Sequence, residues 1–318
     1  MRELTEALRE LAYRLLREGE VELFLGYSWG TLPLVVRPCF ATRPEQVEAL
    51  IFNPLCLPNL VKYLLRFEGR RVAVVVKRCE ISSFRQLLAD RNLEREKIKL
   101  VGVPCGGLLD PTKLQKEFSG QSLEFIADRG KEYVVRVGEE EKVLAKQIYL
   151  YPRCFGCPQE SVGLEPEEDI RLDFSASLPP LEIDPYAGVS YLEERPAEER
   201  KEFWDRAFKR CLRCYACREV CPACSCHECC FDPPLPGWQR TVDWMSKACY
   251  LPEIYQYHLT RALHVAGRCG ECGECERVCP VKIPLMLLAR KLAKEMQSLP
   301  EVEPGVLASY SLNDPEPH

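Results

Sequence analysis

The sequence predicts an α+β protein, with an N-terminal α/β domain built on a small mixed sheet and a mainly α-helical, cysteine-rich domain after it. Three observations lead to this prediction. Short β-branched runs alternate with a helical segment in the first half of the 318 residues. Thirteen of the 19 cysteines crowd into residues 211–279. A stretch rich in proline and acidic residues separates the two parts.

The first half predicts a parallel β-α-β unit. The segments RRVAVVV (70–76) and KIKLVGV (97–103) are predicted to be buried strands, and residues 81–97 between them a helix. Residues 1–20 carry leucines at helical spacing among charges, which predicts an amphipathic helix. Antiparallel strands are predicted in VELFLGYSWGTLPLVVRP (21–38), SLEFIAD (122–128), KEYVVRVG (131–138) and VLAKQIYLY (143–151), with Glu139–Glu141 at a hairpin tip.

The domain boundaries follow from composition. We expect an α/β iron–sulfur domain at 1–163, an extended linker at 164–200, a cluster-binding domain at 201–298 and a tail at 299–318. The second domain is predicted to open with a charged helix, ERKEFWDRAFKR, and to contain a later one, EIYQYHLTRALHVAG.

Composition excludes several classes of function. The formal net charge is -5, without the basic surface that nucleic-acid binding requires. The chain shows neither a secretory signal nor an apolar run long enough to span a membrane, so we expect a cytoplasmic protein. Disulfides are disfavoured because nothing directs export and the cysteine count is odd. Metal ligation is the better interpretation.

Two cysteine quartets carry the strongest signal. Both follow the spacing C-x2-C-x2-C-x3-C-P, which is typical of paired 4Fe–4S sites, whereas zinc prefers two C-x2-C pairs. The last cysteine of such a quartet binds the cluster of the other quartet. The first cluster would then take Cys211, Cys214, Cys217 and Cys279, and the second Cys269, Cys272, Cys275 and Cys221.

The spacer between the quartets, residues 222–268, is much longer than in small ferredoxins. In this respect the second domain resembles the helical dicluster ferredoxin modules of heterodisulfide reductase C subunits. That resemblance implies transfer of electrons between a partner's redox centre and another cofactor.

A third cluster is predicted in the first domain. Cys79 and Cys105 each follow a strand of the β-α-β unit, so both should lie at one edge of the sheet, where Gly106 and Gly107 allow close approach of the backbone. Cys154 and Cys157 add a C-x2-C pair. Cys56 is the substitute ligand should Cys79 not bind, and Cys39 is interpreted as structural.

The segment GVPCGG, the C-x2-C pair and the acidic stretch after it resemble the beta subunits of deazaflavin-dependent hydrogenases and formate dehydrogenases over about residues 55–175. The resemblance implies a 4Fe–4S cluster, FAD and electron exchange with a deazaflavin coenzyme. FAD follows from the resemblance alone, since no Gly-x-Gly-x-x-Gly loop occurs. Implied partners are a hydrogenase, a formate dehydrogenase or a heterodisulfide-reductase-A-like flavoprotein.

Cys224, Cys226 and Cys229 follow the first quartet as C-x-C-x2-C and could hold a further cluster, with Cys230 or Cys249 as fourth ligand. Zinc, or packing without a metal, are the alternatives. A disulfide-reducing role of the Cys229-Cys230 pair is disfavoured because Phe231 stands where such motifs have glycine. The histidines at 227, 258 and 264 are interpreted as surface or packing residues.

Two hypotheses for function follow. In the first, the chain is the electron-transfer subunit of a cytoplasmic redox complex and relays low-potential electrons through several clusters. In the second, its first domain holds a flavin and itself oxidises or reduces a soluble carrier. The first requires no catalytic acid or base, and the sequence offers neither a Ser–His–Asp arrangement nor a phosphate-binding loop.

Overall fold

The computed structural model describes residues 2–90, 93–118, 121, 123–157, 169–172, 184, 186–226, 229–231 and 248–297. The chain divides into two compact units, one of Met1–Ile81 with Leu93–Ile183 and one of Ser82–Asn92 with Asp184–His318. The predicted tail at 299–318 and His227 lie outside the described residues.

The regular elements, in chain order, are α1 (Arg2–Arg17), β1 (Leu23–Trp29), β2 (Val36–Ala41), β3 (Val72–Val76), α2 (Ile81–Ala89), β4 (Ile98–Gly102), α3 (Pro111–Glu117), β5 (Leu123–Asp128), β6 (Glu132–Val137), β7 (Glu140–Ala145), α4 (Lys146–Tyr149), β8 (Ile170–Arg171), α5 (Ala187–Glu193), α6 (Ala197–Phe208), α7 (Ala216–Glu219), α8 (Leu251–Val265), α9 (Glu274–Arg277) and α10 (Leu285–Gln297). Short 3-10 helices lie at Pro44–Ala49, Val61–Arg66, Arg78–Glu80, Arg95–Lys97 and Pro152–Gly156.

The first unit is built on a five-stranded mixed sheet with the strand order β2-β1-β3-β4-β8. Strands β1, β3, β4 and β8 are parallel neighbours, and β2 pairs with β1 in the antiparallel sense. All five residues of β3 are buried, as a parallel strand covered on both faces requires. The predicted β-α-β unit and the predicted N-terminal hairpin are confirmed, and so is the α/β class of this part of the chain.

Helix α1 forms as its leucine spacing predicts. Its buried side chains recur three or four residues apart, at Leu4, Leu8, Leu11, Ala12 and Leu15. Helix α3 begins where Asp110 accepts a hydrogen bond from the Thr112 amide at 2.8 Å, with Pro111 in its first turn. The packing of α1 thus follows from its leucine spacing, and the start of α3 follows from the Asp110-Pro111 pair.

A separate antiparallel sheet of the first unit has the order β5-β6-β7. The prediction was wrong in one place: the strand expected over residues 143–151 ends at Ala145, and Lys146–Tyr149 form helix α4. The change of direction buries Lys146, whose ammonium group pairs with Asp128 at 2.6 Å. A buried ion pair between distant residues overrides the local strand pattern.

The second unit is mainly helical, as predicted. Helices α5 and α10 are joined by ion pairs of Glu193 with Lys291 and with Lys294, the latter at 2.6 Å. Helix α5 lies within the stretch predicted to be an extended linker, and the structure corrects that prediction. It forms because Val189 is buried and Gly188 packs against Leu287 of α10.

Helix α2 groups with the second unit, although it connects two strands of the first. Asp90, which follows α2, forms a buried ion pair with Arg268 and accepts a hydrogen bond from Ser225 at 2.9 Å. The backbone of Gly270 approaches α2 so closely that a β-carbon there would lie 2.7 Å from the Ser82 hydroxyl. These polar contacts attach α2 to the cysteine-rich region.

Candidate metal centres

The first candidate centre lies at the carboxyl ends of β3 and β4. Cys79 sits in the 3-10 turn directly after β3, and Cys105 lies three residues beyond β4. Because these strands are parallel neighbours in register from Val72 with Ile98 to Val76 with Gly102, their ends meet at one edge of the sheet. The 3-10 helix Pro152–Gly156 brings in Cys154, with Cys157 just after it.

All four predicted cysteines line one cavity of about 250 Å³. Its wall also carries four cationic side chains, Lys77, Arg78, Arg153 and Arg171. Glu80 offsets part of this charge, since its carboxylate lies 2.9 Å from the Lys77 ammonium and 3.8 Å from the Arg153 guanidinium. The cavity therefore combines thiols with an excess of positive charge.

This donor set fits an iron–sulfur cluster. Burial raises the pKa of the Cys79 and Cys105 thiols to about 11, and it also raises that of Cys154. Metal binding must displace those protons, and the resulting thiolate-bound group is anionic, which suits the surrounding cations. Hydrogen bonds to sulfur are in place: the Leu108 amide lies 3.4 Å from the Cys154 sulfur, and the Gly107 amide donates to Cys105.

The loop that carries Cys105 packs against three buried polar side chains, those of Asp128, Tyr133 and Lys146. A β-carbon at Gly106 would lie 1.7 Å from a carboxylate oxygen of Asp128, so only glycine fits there. The Tyr133 hydroxyl donates to the Gly107 carbonyl at 2.7 Å, and the Lys146 ammonium lies 4.3 Å from the centroid of the Tyr133 ring. The glycine pair thus serves close packing of the loop.

Two further cysteines of this unit lie apart from the cavity lining. Cys56 is fully buried in a turn, where its sulfur accepts a hydrogen bond from the Asn53 amide at 3.3 Å. Burial raises the pKa of Cys56 to about 12. Cys39 lies on β2, where it pairs with Gly26. The structure thus places Cys79, the preferred ligand of the sequence prediction, on the cavity wall, whereas Cys56 is not among the lining residues.

In the second unit the two quartets share one backbone conformation. The second and fourth residues after the first cysteine have positive φ in both: Arg213 and Tyr215 in one quartet, Glu271 and Gly273 in the other. Helices α7 and α9, which carry the third cysteine of each quartet, contact each other. In each quartet, the backbone amide two residues after the first cysteine donates a hydrogen bond to the sulfur of that cysteine. The Arg213 amide donates to Cys211 at 3.4 Å, and the Glu271 amide donates to Cys269.

The last cysteine of each quartet lies near cysteines of the other quartet, and Cys221 also lies near Cys217 of its own quartet. Cys221 raises the pKa of three thiols by its proximity, after the larger effect of burial, and these are Cys269, Cys272 and Cys275. Cys279 acts in the same way on Cys211, together with Cys217 and Cys214. These proximities are compatible with the two crossed sets that the ferredoxin spacing predicts, and the sets stay a prediction.

Helix α8 covers the first of these sets. The Tyr257 hydroxyl lies 3.3 Å from the Cys217 sulfur, and the His258 ring nitrogen Nε2 lies 3.3 Å from the Cys211 sulfur. Arg261 donates to the Cys217 carbonyl at 3.0 Å. The sequence identified this segment as a helix but missed these contacts. Residues 257, 258 and 261 share one helical face, which is the signal that could have found them.

The remaining cysteines lie around a small cavity of about 30 Å³, which Cys224, Cys226 and Cys229 line together with Arg218, Arg261, Arg268 and His264. Cys229 accepts a hydrogen bond from Arg218 at 3.1 Å. Cys230 is near Cys229 and Cys226 but outside this lining, and Cys249 is exposed.

Among the described residues, no three His, Cys, Asp or Glu side chains converge closely enough to hold a single metal ion. Zinc with bonds of about 2.3 Å to sulfur draws its ligands to within roughly 4 Å of one another. A cubane instead takes one thiolate at each of four irons, so its ligands stand farther apart. The two crossed sets and the first cavity therefore have the donors that a cluster uses. In the same described ranges, no helix is both long and apolar enough to span a membrane.

No family model matches the chain. F420-dependent formate dehydrogenase subunit beta from Methanocaldococcus jannaschii is 21% identical over 324 aligned positions, which cover 85% of this chain and 83% of the relative. F420-dependent formate dehydrogenase 1 subunit beta from Methanococcus maripaludis is 23% identical over 358 positions, covering 94% and 90%. A chain of the F420-reducing NiFe hydrogenase complex from Methanosarcina barkeri matches 49% of this chain and 62% of its own, with 17% identity and a TM-score of 0.37.

The chain is a distant homologue of the beta subunits of F420-dependent formate dehydrogenases. The predicted resemblance to such subunits is confirmed at this level. The resemblance to heterodisulfide reductase C subunits, the ligand sets and the binding of FAD stay predictions.

Proposed function

We propose that the chain is the iron–sulfur electron-transfer subunit of a cytoplasmic multi-subunit oxidoreductase and relays low-potential electrons through several 4Fe–4S clusters. The observation that carries this proposal is the common backbone conformation of the two quartets together with the contact between α7 and α9, which supports the predicted exchange of their last cysteines. Such an exchange ties two clusters into one folded unit, as in two-cluster ferredoxins. The distant homology to formate dehydrogenase beta subunits supports a role beside a catalytic subunit.

In this proposal the chain's own residues hold the clusters and set their properties. Bound clusters would supply one-electron carriers. Cys79, Cys105, Cys154 and Cys157 would hold one cluster in the first unit, and the two crossed sets would hold two in the second. Amides, Tyr257 and His258 would hydrogen-bond to the sulfurs. The partner would be a formate dehydrogenase, a hydrogenase or a heterodisulfide-reductase-A-like flavoprotein.

The test is metal analysis of the full-length chain purified without oxygen. We expect at least about twelve irons per chain with equal acid-labile sulfide, and a broad visible absorbance that bleaches on reduction. The same sample, once denatured, should release no fluorescent flavin. Released flavin would favour the rival function, in which the first unit itself oxidises or reduces a deazaflavin. A colourless, folded, iron-free protein would contradict the proposal.

A further inference from the structure

One surface of the second unit combines an exposed quartet cysteine with apolar and basic side chains. Cys211, Cys217 and Cys279, which the proposed function assigns to one cluster, pack together in a largely buried group of side chains. The fourth member of that set, Cys214, is the one exposed cysteine among the eight of the two quartets, all of which the structure describes. Leu212 beside it is 63% exposed. The first crossed set therefore reaches the surface of this unit at Cys214.

Three exposed cations flank these two side chains. Lys209 and Arg210 lie directly before the first quartet, and Lys282 lies three residues after the second. The Arg210 guanidinium donates to the Lys282 carbonyl at 3.3 Å, so the two chain segments lie side by side. The basic surface consists of these three cations together with Leu212 and Cys214.

Carboxylates close to the basic surface form their bonds inside the unit. Asp205, on the last turn of α6, pairs with Lys201 at 2.7 Å and accepts a hydrogen bond from the Tyr255 hydroxyl at 2.8 Å. Glu276 is half-buried, and its carboxylate accepts a hydrogen bond from the Met286 amide at 3.0 Å. The cations of the basic surface therefore face outward with positive charge, although the whole chain carries a formal net charge of -5.

This combination suits a transient electron-transfer contact. Weak complexes of redox proteins bury less than about 1,200 Å², so a small apolar centre within a charged rim is sufficient. Opposite charges on two partners speed their encounter and orient them before contact. The partner that complements the basic surface is therefore a small protein with acidic side chains around its own redox centre.

We propose that the basic surface docks an acidic carrier protein of the ferredoxin type, with Cys214 at the point of electron exchange. This inference rests on the proposed function. One electron would pass between the carrier and the cluster of the first crossed set, so that one is oxidised as the other is reduced, and no bond or proton is exchanged. The cations would orient the carrier, and Leu212 would exclude water from the centre of the contact.

The experiment removes charge from the basic surface and keeps its backbone contacts. The test variant combines Lys209→Gln with Lys282→Gln, which leaves the hydrogen bond from Arg210 to the carbonyl of residue 282 in place. The matched control combines Arg195→Gln with Arg200→Gln. It removes the same number of exposed cations, but near the opposite end of α6.

The probe is a small two-cluster ferredoxin of strongly negative net charge, and a basic cytochrome c is the control probe. Full-length proteins, purified without oxygen, are first assayed for iron. Binding of each probe is then measured by titration calorimetry, and the rate of electron exchange with the ferredoxin by stopped-flow mixing, both at low and at high salt. Leu212→Ala tests the apolar contact separately.

We expect the lysine variant to keep its iron and to lose about tenfold in ferredoxin affinity and exchange rate at low salt, because steering by charge is weakened. This difference should shrink at high salt, where ions screen exposed charges. Leu212→Ala should weaken binding at both salt concentrations, and the arginine variant should match the unmodified chain.

Three results would overturn the inference: no ferredoxin binding by the unmodified chain, an equal loss in the lysine and arginine variants, or cytochrome c binding as tight as that of the ferredoxin. Unchanged affinity and rate in the lysine variant would overturn it as well. An unmodified chain without iron would instead overturn the proposed function, so the two failures are distinguishable.

Discussion

The sulfur of Cys217 has a phenol beside it, and this contact gives a prediction for one residue. Because burial raises the pKa of Tyr257, the phenol keeps its proton, and it can donate to a metal-bound thiolate 3.3 Å away. Hydrogen bonds to cluster sulfurs help set reduction potentials. Tyr257→Phe, which keeps the ring in the core, should therefore lower the midpoint potential of the cluster that we propose for Cys211, Cys214, Cys217 and Cys279.

The matched control for that variant is Tyr255→Phe. Tyr255 lies on the same helix, but its hydroxyl bonds to Asp205 at 2.8 Å rather than to a candidate ligand. Midpoint potentials from a titration followed by electron paramagnetic resonance provide the measurement. A shift of both clusters in Tyr257→Phe, or as large a shift in Tyr255→Phe, would show that the phenol does not act through Cys217.

Single ligand cysteines give a second prediction. Cys214→Ala and Cys272→Ala should each lower the iron content by about four per chain, because each removes one thiolate from a different set. Each variant should also be less resistant to heat, since bound metal contributes to folding. Cys39→Ala, on strand β2, is the control and should retain all iron. Full iron content in both variants would contradict the assignment of Cys214 and Cys272 as cluster ligands.

At this scale the sequence predicted which cysteines of the first unit would lie close together, but not which other side chains would surround the cysteines. Cys79 and Cys105 could be predicted because the ends of adjacent parallel strands meet at one sheet edge. Arg261 could not be predicted as a donor to the Cys217 carbonyl. Its helix begins only at Leu251, and the folded chain alone brings the two residues together.

Among the elements, α2 shows the limit of local pattern most clearly. Its place between two strands was predicted correctly, but the helix ends at Ala89 rather than at residue 97, and its grouping with the cysteine-rich unit was not predicted. That grouping depends on Asp90 and Arg268, which lie 178 residues apart. Helix α4 is similar, because the alternation of VLAKQIYLY gives no sign that Lys146 pairs with Asp128. Local patterns report a segment's own periodicity, not its distant partners.

The ion pair after α2 supplies an element-scale prediction. Asp90 and Arg268 have 1% and 4% of their side chains exposed, so Asp90→Ala leaves a buried guanidinium without its partner. Loss of one partner of a buried pair costs about 3–5 kcal/mol. We expect the free energy of unfolding of the anaerobic, cluster-containing protein, measured with urea, to fall by about that amount.

The control for this variant is an exposed pair on another helix. Glu202 and Arg206 on α6 are 66% and 67% exposed, with 2.9 Å between their charged atoms. Surface pairs of this kind contribute only about 0–1 kcal/mol, so Glu202→Ala should change the unfolding free energy little. A loss of unfolding free energy in Asp90→Ala that is as small as the loss expected for Glu202→Ala would mean that the buried pair does not stabilise the second unit.

For the whole molecule, the total iron content depends on Cys224, Cys226 and Cys229. The sequence leaves three alternatives for these thiols: a further cluster, zinc or packing without a metal. With a further cluster, total iron would approach about sixteen per chain rather than about twelve. The double variant Cys224→Ala with Cys226→Ala should lower it by about four and leave the signals of the other clusters in place. An unchanged iron count would mean that these thiols bind no cluster. They would then only pack around the cavity of about 30 Å³, next to the cysteines of the two quartets.

The most direct test of the central claim is the pairing of cluster signals across the quartets. Electron paramagnetic resonance spectra of the reduced full-length chain are compared for four variants: Cys214→Ala, Cys279→Ala, Cys272→Ala and Cys221→Ala. We predict that Cys279→Ala alters the signal that Cys214→Ala removes, and that Cys221→Ala alters the one that Cys272→Ala removes. Signals that instead pair Cys221 with Cys214, and Cys279 with Cys272, would contradict the exchanged arrangement on which the proposed electron-transfer function depends.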